Sequence, residues 1–232
     1  TDKFIDNSNT SIFQQMTPRE SEIISLIQKE VKPALGCTEP IAVALAVAKA
    51  MEIIEEKCPD TDPAWRFGTD YRIDVKVSGN ILKNGMGVGI PGTGMVGLYI
   101  ASALGAVCGK SSYGLEVLND LDEASITKAK GMVEDKTVDI GLADTDKKLY
   151  VHATVSVSDG HCASAVIADD HDRIVETSFD GCVLSTASDV ASSEEPAQKS
   201  TLDYHLTVKE IDEFTRTVAY EDIKFILESR TL

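Results

Sequence analysis

A thiol and a carboxylate stand two residues apart in Gly36-Cys37-Thr38-Glu39-Pro40. The apolar run Ile41 to Ala48 follows directly. Thr38 suits an N-cap, and Glu39 and Pro40 suit a first turn, so the motif reads as the start of a buried helix. Helix starts carry unpaired N–H groups and a partial positive charge, both of which favour anions. A cysteine held there is expected to have a lowered pKa, because the thiolate is the form stabilised. The competing reading is plainer: Cys37 is a small apolar residue filling a tight corner.

A second group of polar residues lies among glycines. Ser78, Asn80, Lys83 and Asn84 stand beside Gly79, Gly85, Gly87, Gly89, Gly92, Gly94 and Gly97. An ammonium, two amides and exposed backbone N–H groups suit a carboxylate or similar small anion. A turn-rich connector, in which Asn and Gly merely tolerate left-handed backbone angles, explains the same composition. The pattern G-x-G-x-x-G occurs at Gly87, Gly89, Gly92 and again at Gly92, Gly94, Gly97. A dinucleotide site needs a strand running straight into the glycines and an acidic residue ending the next strand, and neither context is present. No G-K-S/T follows, so the P-loop reading is weaker still. His171 lies in the turn Asp169-Asp170-His171-Asp172, where a histidine is ordinarily solvated. Cys58, Cys108, Cys162 and Cys182 read as structural.

The elements that must position these residues follow from periodicity. Thr17-Pro18-Arg19-Glu20 is a capping box opening a helix with Ile23, Ile24, Ile27 and Val31 on one face, ended by Pro33 and Gly36. The helix after Pro40 is apolar nearly all round to Lys49. Residues 1–16 read as a lead-in and Pro59 to Gly68 as a loop. Tyr71, Ile73, Val75 and Val77 alternate as a strand. A buried helix is predicted from about Met95 to Val107 and another from Asp120 to Glu134. Strands at 138–142, 149–157, 163–167 and 174–178 are expected to form an antiparallel meander, turning at Asp159-Gly160 and at Asp169 to Asp172. Ser185 to Ser200 reads as a linker, and Leu206 to Ser229 as a helix. The predicted class is α+β: a mainly antiparallel sheet with helices packed on one face, and a C-terminal helix after a linker. The predicted divisions are an α+β domain over 1–184, a linker over 185–205 and the start of a helical domain over 206–232.

The 232 residues suffice for one large domain or a domain with an appended helical segment. At 43% hydrophobic and 26% charged, the composition is that of a globular chain. A net charge of -16 argues against nucleic acid and against an anionic membrane surface as partners. Five cysteines, without a C-x-x-C pair, give neither zinc-finger spacing nor a disulfide framework, and a reduced cytoplasmic setting is expected. The N-terminus lacks a signal-peptide pattern, and no apolar run reaches the ~18 residues that span a bilayer.

Val31-Lys32-Pro33-Ala34-Leu35-Gly36-Cys37-Thr38-Glu39-Pro40 resembles the signature of the cysteine desulfidase family, whose many bacterial members are relatives of the serine dehydratase alpha chain. Ser78-Gly79-Asn80-Ile81-Leu82-Lys83-Asn84-Gly85, Gly89-Ile90-Pro91-Gly92-Thr93-Gly94 and the segment His171 to Val175 resemble that family as well, so the similarity covers most of the chain. Such enzymes are oxygen-sensitive lyases that use an iron–sulfur cluster to eliminate hydrogen sulfide from L-cysteine, leaving pyruvate and ammonia. The resemblance implies Cys37 as the site cysteine, acting as base or near the cluster, with Glu39 beside it. It implies Ser78, Asn80, Lys83, Asn84, Gly92, Thr93 and His171 as the substrate-binding set. Members of the family are much longer. Beyond a stretch resembling Tyr220 to Glu228 they continue into a helical half that carries cluster cysteines, whereas this sequence stops at Leu232 without a C-D-G-type motif.

A [4Fe–4S] cluster takes several thiolates, so it is expected of the full-length family and not of this chain alone. The expectation is thus the N-terminal part of a β-eliminating lyase, inactive in isolation. It would act on a small amino acid and be completed by a C-terminal helical half or another chain, with a homo-oligomer left open. A non-catalytic amino-acid-binding or interaction domain remains the alternative.

Overall fold

The computed structural model describes residues 16–32, 34–58, 70–186 and 205–228. The lead-in, Pro33, the loop after Cys58 and most of the linker expected from the sequence lie outside them. The chain divides into two compact units. One comprises residues 33–199, and the other comprises 1–32 together with 200–230.

In chain order the first helix is α1, Pro18–Glu30. Next come α2, Thr38–Lys57, and β1, Tyr71–Val77. The glycine-rich stretch then holds α3, Gly79–Gly85, and a small hairpin of β2, Gly89–Ile90, and β3, Met95–Val96. It leads into α4, Leu98–Cys108, a 3-10 segment at Ser111–Glu116, and α5, Glu123–Glu134. The strands β4, Val138–Leu142, β5, Tyr150–Val157, β6, Cys162–Ala168, β7, Ile174–Phe179, and β8, Cys182–Thr186, complete the larger unit. The smaller unit ends with α6, Val208–Thr217, α7, Tyr220–Ile223, and α8, Phe225–Glu228.

The six-stranded sheet runs β4-β1-β5-β6-β7-β8. All neighbours are antiparallel except β1 and β4. The class is therefore the α+β expected, with two corrections. The meander comprises β5 to β8 only, because β1 inserts between β4 and β5. The stretch before the linker, Cys182–Thr186, forms an edge strand that sequence reading missed. Alternation in β1 buries Tyr71, Ile73, Val75 and Val77 toward the helices.

The helix α2 lies against β5 and β6 and is buried along nearly its whole length. Ile41, Leu45, Met51 and Ile54 are all but fully enclosed. Each such side chain contributes roughly 1.5–3 kcal/mol of transfer free energy. The apolar helix α4 packs beside α2, and Gly105 is the point of closest approach: a Cβ there would fall 2.4 Å from the carbonyl oxygen of Ala44. Part of the glycine stretch, expected as irregular backbone, is the helix α3. Ile81 enters the core and anchors that turn.

In the smaller unit both α1 and α6 open with a capping box, Thr17 with Glu20 and Thr207 with Glu210. Ile23 and Ile24 of α1 bury against Phe214 of α6, so α1 packs with the C-terminal helices. Arg19 bridges to Glu210 at 3.0 Å, and the Thr217 hydroxyl donates to Glu20 at 2.8 Å. A cavity of about 340 Å³ between these helices is floored by Ile23 and Phe214 and shares no residue with the Cys37 turn. The single C-terminal helix expected is interrupted at Val218, whose backbone is extended. The β-branched cluster Thr215, Thr217 and Val218 weakens helix propensity there.

Candidate functional site

Strand register decides which residues meet. Val77 at the end of β1 pairs with Leu142 at the end of β4 and with Val151 near the start of β5, and Val151 pairs with Ile167 near the end of β6. One end of the sheet therefore emits both α3 and the β6–β7 turn that carries His171. Ser78 fastens α3 there. Its N–H donates to Tyr150 O at 2.9 Å and its hydroxyl to Lys148 O at 2.8 Å.

The start of α2 reaches the same place. The Asn84 amide of α3 donates to Glu39 Oε1 at 3.2 Å, and the Cys37 thiol donates to Glu39 Oε2 at 2.8 Å. The charge of His171 is the least of the influences that hold Glu39 low. Gly36, at φ +96°, makes the turn into Cys37, a backbone angle that side chains disfavour. Pro91 of the β2–β3 turn lies against it, 3.5 Å from where a Cβ would stand. Behind the turn, Leu35 N–H donates to Leu115 O at 3.3 Å. The thiol motif and the glycine segment thus share one corner of the larger unit.

The electrostatics reverse the sequence expectation for Cys37. The helix begins at Thr38, so Cys37 itself occupies the N-cap position and makes no side-chain cap. Although Cys37 is exposed, partial loss of water raises its pKa, and its hydrogen bond to Glu39 raises it further. The N–H groups of Glu39 and Thr38 pull the other way and lose. Glu39 is held below the usual carboxylate range. Donation from Cys37 is the chief cause, with Asn84 and the charge of His171 helping and partial desolvation opposing. The anion that the helix start favours is the carboxylate, so the proton stays on sulfur.

The remaining candidates divide by what their polar atoms already do. Thr93 is buried, and its hydroxyl donates to Ile90 O at 2.7 Å while accepting from Met95 N–H at 3.0 Å, which closes the β2–β3 turn. Gly92, at φ +77°, belongs to that same turn. The Ser78 hydroxyl is committed to the backbone. Asn80 and Lys83 are exposed on α3, and Asn80 lies one helical turn from Asn84. Sequence reasoning missed Pro91, Lys147 and Asp169. Lys147 pairs with Asp169 at 2.6 Å beside His171. The signal available was the pairing of Lys147-Lys148 with the acidic turn Asp169-Asp170.

Among the described residues no group of three or more His, Cys, Asp and Glu side chains is placed to hold a metal ion. Cys58 closes the opposite end of α2, some 30 Å along a helix of 20 residues. Cys162 begins β6, and Cys182 pairs with Phe179, at the other end of the sheet. The described residues therefore do not by themselves fit a cluster that takes several thiolates.

No protein-family model and no solved structure matches the chain. It is 44% identical over 216 residues to a UPF0597 protein of Parabacteroides distasonis, covering 92% of this chain and 46% of that protein. It is 40% identical over 216 residues to one of Phocaeicola vulgatus, with 93% and 46% covered. A third, from Bacteroides thetaiotaomicron, is 42% identical over 212 residues, with 91% and 46% covered. The chain is thus similar to nearly half of each of several proteins that carry the UPF0597 name, and it spans about half the length of these curated relatives.

Proposed function

We propose that this chain supplies the amino-acid-binding and proton-transfer part of a cysteine desulfidase-like lyase. The reaction is β-elimination from a small amino acid, L-cysteine foremost, giving pyruvate, ammonia and sulfide. The observation that carries the reading is the 2.8 Å hydrogen bond from Cys37 to Glu39. Elimination needs an acceptor for the α-proton and a donor for the departing β-substituent. The corner holds one of each: a carboxylate that stays ionised and a thiol that keeps its proton.

In this reading Glu39 takes the proton from Cα as the Cα=Cβ bond forms, and the electrons of the Cβ–S bond leave with sulfur. Cys37 then protonates the departing sulfide. The resulting enamine tautomerises and hydrolyses to pyruvate and ammonia. Lys83 is the cation for the substrate carboxylate, and Asn80 supplies an amide. Asn84 holds Glu39 in place. The iron–sulfur cluster of the resembling family finds no ligand set in the described residues, and no step is assigned to it. Because the relatives are about twice as long, complete turnover is assigned to this chain together with a second half or another chain.

The test is titration of L-serine and L-cysteine into the protein, alongside an anaerobic assay of keto-acid release by a longer relative carrying the same corner. Saturable binding that is lost in Glu39→Gln, with turnover lost in the matching variant of the relative, is the expected result. Binding without turnover by the relative leaves an amino-acid-binding domain. No binding at tens of millimolar sinks the reading entirely.

A further inference from the structure

Cys37 lies just outside α2 and makes no side-chain cap, so the residues before it decide where its thiol points. Leu35 is fixed two positions back, its N–H donating to Leu115 O at 3.3 Å. Gly36 between them is a pivot: at φ +96° it carries no side chain to limit its swing. What it meets is Pro91. Cγ and Cδ of that ring both lie 3.5 Å from the point where a Cβ of Gly36 would stand, which is ordinary van der Waals contact. Pro91 opens the β2–β3 turn, which holds two left-handed glycines, Gly92 at φ +77° and Gly94 at φ +67°. A turn of that composition has many shapes open to it, and Thr93 selects one. Its hydroxyl donates to Ile90 O at 2.7 Å and accepts from Met95 N–H at 3.0 Å, and its own N–H donates to Ile90 O at 3.2 Å. Thr93 is 2% exposed, whereas Pro91, Gly92 and Gly94 around it are exposed. A buried hydroxyl engaged by backbone on both sides shapes the turn; it does not reach out to a ligand.

We propose that Thr93 is a positioning residue: by fixing the turn that holds Pro91 against Gly36, it keeps the Cys37 thiol on Glu39. The inference rests on the reading of Cys37 and Glu39 as the proton-transfer pair of the site. Thr93 touches no substrate in this account. Its effect passes through Pro91 and Gly36 to the 2.8 Å bond between Cys37 and Glu39. The other side-chain bond to Glu39 comes from Asn84 on α3, so the turn governs the thiol and leaves the carboxylate anchored.

The experiment follows the thiol. Alkylation of Cys37 against pH, mapped by mass spectrometry, is compared in the parent chain, Thr93→Val, Thr93→Ser, Pro91→Ala and the double variant Thr93→Val with Pro91→Ala. Valine keeps the branched shape and removes the hydroxyl, while serine keeps the hydroxyl. Pro91 is exposed, so Pro91→Ala removes the ring from Gly36 and leaves the hydrogen bonds of Thr93 in place. Separating the thiol from Glu39 removes the bond that helps hold its proton. The Cys37 midpoint is expected to fall by about half a pH unit in Thr93→Val and in Pro91→Ala, read as roughly two- to threefold faster alkylation below the midpoint. It is expected to fall no further in the double variant and to stay at the parent value in Thr93→Ser. A purely structural Thr93 would lower the melting temperature of Thr93→Val and leave the Cys37 midpoint where it was, and that result overturns the proposal. An unmoved midpoint in Pro91→Ala overturns it as well, and decides the matter should Thr93→Val fail to fold. A shift in Thr93→Ser as large as that in Thr93→Val also refutes the role of the hydroxyl. Failure of the lyase reading would appear separately, as missing amino-acid binding and keto acid with these shifts intact.

Discussion

The site corner depends on how closely α2 and α4 approach, and Gly105→Ala measures that directly. The new Cβ would lie 2.4 Å from Ala44 O, 2.8 Å from Ala44 Cα and 3.0 Å from Ala44 C. All three are backbone atoms, so no side chain can rotate away. Restoring an ordinary separation of about 3.5 Å requires the helices to part by about 1 Å. Overpacking of this kind costs about 1–3 kcal/mol, and the backbone collision puts it at the upper end. Alanine regains about 1 kcal/mol of helix propensity over glycine. The net expectation is a loss of about 2 kcal/mol, roughly a 30-fold fall in hydrogen-exchange protection across residues 41–54. Gly131→Ala in α5 is the control. A Cβ there meets nothing within 4 Å, so only the propensity gain of up to about 1 kcal/mol remains. Hydrogen exchange with mass spectrometry reads both variants. Equal or higher protection in Gly105→Ala would refute the close-packing argument, and so would a loss in Gly131→Ala.

Two further outcomes follow from the corner. Lys83→Met is expected to weaken L-serine binding by roughly 1.5–3 kcal/mol, the size of a lost charged hydrogen bond; calorimetry giving an unchanged affinity removes Lys83 from the site. Glu39 has a folded-state pKa below its unfolded value, so the stability it contributes is present above the ordinary carboxylate range and lost as pH falls through the depressed value. Glu39→Gln should flatten that part of the stability-against-pH curve, and a curve that keeps its acid slope contradicts the assignment.

Much of the fold was legible because burial imposes periodicity. The alternation in β1, the all-round apolar α2 and the hairpin at Asp159-Gly160 each carry their own signal in residue type. The insertion of β1 between β4 and β5 had none, since pairing partners far apart in sequence leave no local mark. The short helix α3 hid behind its glycines, whose propensity argues against helix while the burial of Ile81 decides the matter. At the site, Cys37 and Glu39 were marked by spacing alone, and the helix-start argument expected an anion there. It chose the wrong residue, because a carboxylate two positions on is the stronger acid and takes the charge. The Lys147–Asp169 pair had only a faint signal in its charges, because the two residues meet only once β5 and β6 have paired.

The central claim is that the proton rests on Cys37 and the charge on Glu39. Alkylation rate of Cys37 against pH, mapped by mass spectrometry, measures it in the parent chain and in Glu39→Gln. The expected result is a thiol that titrates above its ordinary value in the parent and falls when the neighbouring carboxylate is removed. A Cys37 already alkylated as a thiolate at neutral pH, or one whose midpoint ignores Glu39→Gln, would contradict the account.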